Sequence, residues 1–199
     1  KDQGASKVIL DLRGNGGGLL REAVNIVNLF TPKGETVVET KGRMADWDKT
    51  YKTLSEPLDA DIRLVVLTDT GSASASEIVS GALQDLDRAV VMGQRTFGKG
   101  LVQQTRDLLY NSKLKVTVAK YYIPSGRCIQ KLDYAQHDST GHAVVRADSS
   151  LRGFKTRNGR PVIDGRGILP DVLVEEPEMP KVVVGLFAGD VLFDFANQY

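Results

Sequence analysis

The chain has very little of three things that commonly carry protein chemistry. It holds one cysteine in 199 residues, Cys128, which excludes an internal disulfide and a cysteine-built metal site. A single thiol does not decide the compartment. It holds two histidines, His137 and His142, and both fall in one polar stretch, so a histidine general base has only loop candidates. Its charge has no dominant sign: 26 basic residues face 25 acidic ones, a net of +1, with no basic stripe interleaved with aromatics, which argues against a nucleic-acid partner. No apolar run approaches the ~20 residues needed to span a bilayer. Residues 1–7 lack the apolar core of a signal peptide and run at once into the strand-like Val8-Ile9-Leu10, which reads as the start of an excised piece.

What is present is an ordinary globular composition, 41% apolar and 26% charged, with length for one sizeable domain. Residues 8–12 read as a buried strand closed by a glycine run, and residues 19–30 as a helix with Leu20, Ala23, Val24 and Val27 at helical spacing. Residues 35–40 read as a strand, 41–60 as a surface excursion and 62–67 as a buried strand. The spacing of Ile78, Val79, Ala82, Leu83 and Leu86 predicts an amphipathic helix over 75–86, followed by a strand at 89–92. Residues 101–109 and 113–122 predict a hairpin across Tyr110-Asn111-Ser112, with Leu114, Val116 and Val118 on a buried face. Residues 131–160 are polar and read as a loop-rich insertion. The apolar tail after Pro180 reads as a helix packed on the core or on a neighbour. Strand–helix alternation at this spacing predicts an α/β layered domain with crossover connections.

Three segments invite a chemical reading, and each has a bland one beside it. Ser74 opens the second helix; Ser74-x-x-Glu77 before an apolar run is a capping box, and it is also a serine beside free backbone N–H groups where an oxyanion would be stabilised, near Ala75. Lys99, in Gly98-Lys99-Gly100, is either a turn lysine or the base that a serine without a histidine needs. The run Gly14-Asn15-Gly16-Gly17-Gly18 is either a tight turn or a second source of oxyanion donors. A rival reading starts from Gly93-x-x-x-x-Gly98-Lys99, which nearly matches a phosphate-binding P-loop. It fails at Gly100, where Ser or Thr is needed, and in the strand-like residues that follow.

Taken together, the segments resemble the carboxy-terminal processing peptidases, the tail-specific serine proteases. The resemblance rests on Asp11-Leu12-Arg13-Gly14-Asn15-Gly16-Gly17-Gly18-Leu19-Leu20, on Gly71-Ser72-Ala73-Ser74-Ala75-Ser76-Glu77-Ile78, and on Gly98-Lys99-Gly100-x-Val102-Gln103. It rests further on Tyr122-Ile123-Pro124-Ser125-Gly126-Arg127 and Gly167-Ile168-Leu169-Pro170-Asp171-Val172, five motifs in order over residues 6–175. Gly16 stands where the family often has proline. Residues 154–161 resemble the insertion of Bacteroidetes-like versions. The resemblance implies a crotonase/ClpP-like α/β core with Ser74 as nucleophile, Lys99 as general base and Gln103 orienting the lysine. It implies an oxyanion hole from the N–H of Ala75 and that of Gly17 or Gly18, and it implies no cofactor and no metal. It also implies protein substrates with exposed, mostly apolar C-termini, a cell-envelope or periplasmic location, and a possible homo-oligomer. A substrate-capturing PDZ domain usually precedes the glycine-rich motif, and no segment here corresponds to it. Residues 1–175 are therefore expected to be a catalytic core truncated at its N-terminus, and residues 176–199 a helical tail. A peptide-binding or scaffold relative without catalysis is the main alternative.

Overall fold

Parallel strands need crossover connections, and the first half of the chain supplies them. The structure, a computed structural model, describes residues 4–175 and 180–198. In chain order its elements are β1 (Lys7–Asp11), α1 (Leu20–Asn28), β2 (Thr36–Gly42), β3 (Lys49–Lys52), β4 (Arg63–Thr68), α2 (Ala75–Asp85), β5 (Val90–Gly93), β6 (Leu101–Asp107) and β7 (Lys113–Tyr122). There follow β8 (Leu132–His137), β9 (Ala143–Val145), β10 (Gly153–Lys155), β11 (Pro161–Ile163), β12 (Val172–Leu173), α3 (Lys181–Ala188) and α4 (Val191–Gln198). One sheet is parallel, in the order β1-β4-β5-β12, and a second is antiparallel, in the order β3-β2-β7-β6. The layered α/β expectation holds.

The core lies between the parallel sheet and the two helices that cross over it. Val8, Leu10, Leu64, Val66 and Val91 point from the sheet to Val24 and Val27 of α1 and to Ile78, Val79 and Ala82 of α2. The other face of the sheet is open, with Ile9 68% exposed. The expectation of a fully buried first strand is therefore corrected: β1 is a sheet edge with alternating burial.

Helix α2 departs from its expected amphipathicity. Every one of its 11 residues is buried, so its polar side also faces protein. Buried polar groups need partners, and these come from distant segments. Gln84 donates to the Leu169 carbonyl at 2.9 Å and to Asp171 at 3.0 Å. Asp85 accepts from Arg127 at 2.8 Å in an ion pair whose side chains are 0% and 1% exposed. At Gly81 an added Cβ would stand 2.6 Å from Ile168 Cδ1 and 2.7 Å from Ile123 Cδ1, so a larger residue would make these side-chain ends shift.

The β6–β7 hairpin turns where expected, through Tyr110 (φ 60) and Asn111 (φ 58), the paired positive angles of a type I′ turn. Its buried face, however, is shorter than expected. Leu114 and Val116 are 48% and 37% exposed because the hairpin projects beyond the second sheet, and only Ala119 and Tyr121 are buried. The polar insertion is also more ordered than its composition suggests, carrying the β8–β9 pair and β10, which pairs with β11. Cys128 is buried just after β7, bridged to Tyr122, and burial raises its thiol pKa above the ordinary value. In the tail, α3 and α4 contain no buried residue, and Val182, Phe187 and Phe193 are exposed. Among the described residues no helix is long and apolar enough to cross a membrane.

Candidate active site

The site forms where β1 and β4 end, at the carboxyl edge of the parallel sheet, where open α/β sheets place their ligands. After Thr68 the chain turns through Asp69–Ala73 and enters α2 at Ser74. Ser74 has φ 57 and ψ −113, a backbone conformation costly for any residue with a Cβ and outside the ordinary left-handed well. A serine on a strained strand-to-helix turn is the geometry of a nucleophile elbow. The neighbouring serines are spent on structure. Ser72 is buried and donates its hydroxyl to the Leu12 carbonyl at 2.7 Å, and Ser76 is buried within the helix. Ser74 is half-buried.

The glycine run is bound to this elbow. Ala73 N–H donates to the Asn15 carbonyl at 3.0 Å, and Gly14 N–H donates to the Asp69 carboxylate at 2.8 and 2.9 Å. Burial raises the Asp69 carboxyl, but the N–H groups of Gly14, Gly71 and Ser72 and the Ser72 hydroxyl more than offset it, and its pKa lies below the ordinary value. Gly17, at φ 99, packs directly on the elbow. An added Cβ would lie 2.6 Å from the Ala73 carbonyl oxygen, 2.8 Å from the Ala75 nitrogen and 2.9 Å from Ser74 Cβ. The Gly17 N–H itself is donated to Asn15 Oδ1 at 2.9 Å. Among the described residues no acceptor takes the N–H of Gly18 or of Ala75. Between the two expected glycine donors, the uncommitted one is thus Gly18, while Gly17 provides the close approach.

The lysine segment reaches the elbow through its backbone. Phe97 N–H donates to the Ser72 carbonyl at 3.0 Å, and the N–H groups of Gly98 and Lys99 donate to the Glu77 carboxylate at 2.7 and 2.8 Å. Glu77 also accepts from Ser74 N–H at 2.8 Å. The Lys99 side chain is exposed, and among the described residues no hydrogen bond joins its Nζ to Ser74 Oγ. It lines a cavity of about 640 Å³ with Gln103, Phe97, Leu101, Leu132 and Tyr134. Gln103 lies on β6 just after a register shift against β7. The fold therefore brings Ser74, Ala75, Gly17 and Gly18 together, and separately brings Lys99 and Gln103 to one cavity.

Comparison with known proteins bears on this arrangement. Residues 1–138 match the family model described as peptidase family S41. The chain belongs to peptidase family S41. It is 40% identical over 155 residues to a carboxyl-terminal-processing protease of Picosynechococcus sp., covering 75% of this chain and 37% of that protein. It is 48% identical over 128 residues to a Staphylococcus aureus protein named "Probable CtpA-like serine protease", covering 63% of this chain and 25% of the relative. Among solved structures, the photosystem II D1 C-terminal processing protease superposes with a TM-score of 0.65 at 30% identity, over 93% of this chain and 39% of that one. The chain thus spans between a quarter and two fifths of the length of these S41 relatives.

Within this S41 core the nucleotide-binding rival loses its footing. Lys99 leads into strand β6 and not into a helix, and the N–H groups of Gly98 and Lys99 that a phosphate would need are occupied by Glu77. Both histidines are exposed on the insertion, where the His142 ring bonds Thr140 at 2.7 Å. Sequence reasoning saw Glu77 only as a cap residue. Its bonds to the lysine segment span about twenty positions, and nothing in the short-range spacing of residues 74–86 signals them. Asp69 and Asn15, which join the glycine run to the elbow, were likewise missed as linkers.

Proposed function

We propose that this chain is the catalytic core of a serine endopeptidase of the C-terminal processing type, with Ser74 as nucleophile and Lys99 as general base. The observation that carries the reading is the elbow itself: a positive-φ serine opening a buried helix, with Gly17 packed on it. In the first step the Ser74 hydroxyl oxygen bonds the substrate carbonyl carbon while the Lys99 amine takes its proton. The Ala75 and Gly18 N–H groups face the developing oxyanion. The C–N bond then breaks as the leaving amine collects the proton from Lys99, and water hydrolyses the acyl-serine with Lys99 again carrying the proton. Gln103, on the wall of the Lys99 cavity, orients the amine. The long, rotatable lysine stem must bring Nζ from the cavity to Ser74, and such contacts commonly tighten only once substrate is bound.

The largely apolar cavity beside Lys99 suits an apolar side chain of a protein substrate with an exposed C-terminus. In the full-length protein a PDZ domain would deliver that C-terminus, and the family's processing role favours a cell-envelope or periplasmic setting. A homo-oligomer and an absence of nucleic-acid partners complete the reading. A non-catalytic peptide-binding relative is the second reading, favoured by the absence, among the described residues, of a hydrogen bond between Lys99 Nζ and Ser74 Oγ.

Labelling of the full-length protein by a serine-reactive phosphonate separates the two. The protease reading expects label on Ser74, none in Ser74→Ala, and none in a Lys99→Ala protein whose thermal midpoint matches the parent, since truncating an exposed side chain costs only about 0.5 kcal/mol or less. A parent protein that takes no label, together with no cleavage of an unfolded substrate, would leave the binding reading standing.

A further inference from the structure

Glu77 accepts more hydrogen bonds than a helix cap requires, and they come from both sides of the site. The residue is 0% exposed. Its Oε1 accepts from the Thr96 hydroxyl at 2.6 Å and from Gly98 N–H at 2.7 Å. Its Oε2 accepts from Ser74 N–H at 2.8 Å and from Lys99 N–H at 2.8 Å. One oxygen atom therefore touches the backbone of both residues of the dyad, and their two nitrogens can be no further apart than twice that distance. A cap alone would use only the bond to Ser74.

The carboxylate is itself held in place. The Thr96 hydroxyl that donates to it accepts from Ile168 N–H at 2.7 Å, and Thr96 N–H donates back to the Ile168 carbonyl at 3.1 Å. Gly167, at φ 70, closes over the pair; a Cβ there would lie 2.6 Å from Thr96 Oγ1 and 3.0 Å from Glu77 Oε1. Burial pushes the Glu77 carboxyl above its ordinary pKa, and the bonds from Thr96, Lys99, Ser74 and Gly98 oppose it. All four partners donate, so the ionised carboxylate is the form that satisfies them.

We propose that Glu77 is a positioning residue that fixes the spacing of the Ser74 and Lys99 backbones, with Thr96 and the Gly167–Ile168 turn locking its carboxylate. The proposal rests on the reading of Ser74 and Lys99 as the dyad. It gives the downstream Gly167-Ile168 motif a task at the site through its bonds to Thr96.

Glu77→Gln tests it in the full-length protein. One acceptor oxygen is replaced by an amide that points hydrogens at N–H groups, so the two segments separate while the helix keeps its side-chain volume. A 1 Å displacement can cost about 10²-fold in rate, so the second-order rate of phosphonate labelling should fall by about that factor, with kcat falling and KM little changed. Thr96→Ala should slow labelling, and Thr96→Ser, which keeps the hydroxyl, should restore it. Parent-rate labelling in folded Glu77→Gln protein overturns the proposal, as does a slowdown that only tracks the fraction of unfolded protein. If Glu77→Gln does not fold, the Thr96 pair decides: equal rates in Thr96→Ala, Thr96→Ser and parent overturn it. Labelling that survives Lys99→Ala instead removes the dyad, and the role of Glu77 with it.

Discussion

Ser74 and Lys99 stand on segments built to different degrees of constraint. The serine side is fixed atom by atom: a strained φ, Gly17 pressed against it, and Asn15, Asp69 and Glu77 each bonding its flanking backbone. The lysine side is fixed only along its main chain, by Glu77, Ser72 and Gln130, while the Lys99 and Gln103 side chains are exposed. The difference teaches where this fold places its rigidity. Oxyanion donors work only if they are pre-aimed, so the serine and glycine backbones are locked. A proton carrier must approach and withdraw, so a flexible stem on an anchored backbone serves it.

That contrast can be broken at its most constrained point first. Gly17→Ala adds a Cβ within 3 Å of two backbone atoms at a positive φ, so hydrolysis should fall by at least about 10²-fold and the thermal midpoint should drop with it. Gly18→Ala, whose added Cβ meets nothing within 4 Å, should keep the parent midpoint; equal midpoints for the two variants would refute the packing argument. On the lysine side, Gln103→Ala should cost about fivefold in kcat with no change in thermal unfolding, the size of one modest hydrogen bond lost at an exposed residue. A Gln103→Ala protein that unfolds early would place the residue in the scaffold instead. The smallest effect is on stability alone. Ser74→Gly removes the penalty of a Cβ at φ 57, so although inactive it should be more stable than Ser74→Ala by about 1 kcal/mol in denaturant unfolding. The opposite order would mean that the elbow is not strained.

Much of this was readable along the chain because it is local. From β1 to β7, with β3 excepted, the order of strands and helices, the turn at Tyr110-Asn111, the helix that Ser74 opens and the glycine run before α1 all follow from short-range spacing and turn chemistry. What escaped depends on partners far away in sequence. Apolar periodicity in α2 marks one buried face, but it cannot show that Gln84 meets Leu169 and Asp171 or that Asp85 meets Arg127, and those bonds are what bury the other face. The same limit hid Glu77, whose cap bond is three residues long and whose bond to Lys99 crosses twenty-two. The hairpin erred in the other direction: alternation at Leu114 and Val116 signals one apolar face, not that a second layer extends far enough to cover it.

Cys128 offers a use that its packing creates. Its thiol is largely enclosed, at the wall of a cavity of about 320 Å³, and burial raises its pKa above the ordinary value, so both features slow its reaction with a thiol reagent in the closed fold. Two residues further on, Gln130 grips the Gly100 N–H at 2.8 Å, and Lys131 N–H holds the Gly98 carbonyl at 2.9 Å. A rise in the modification rate at Cys128 therefore reports unlatching of the strip that carries Lys99, read at a residue the chain already has.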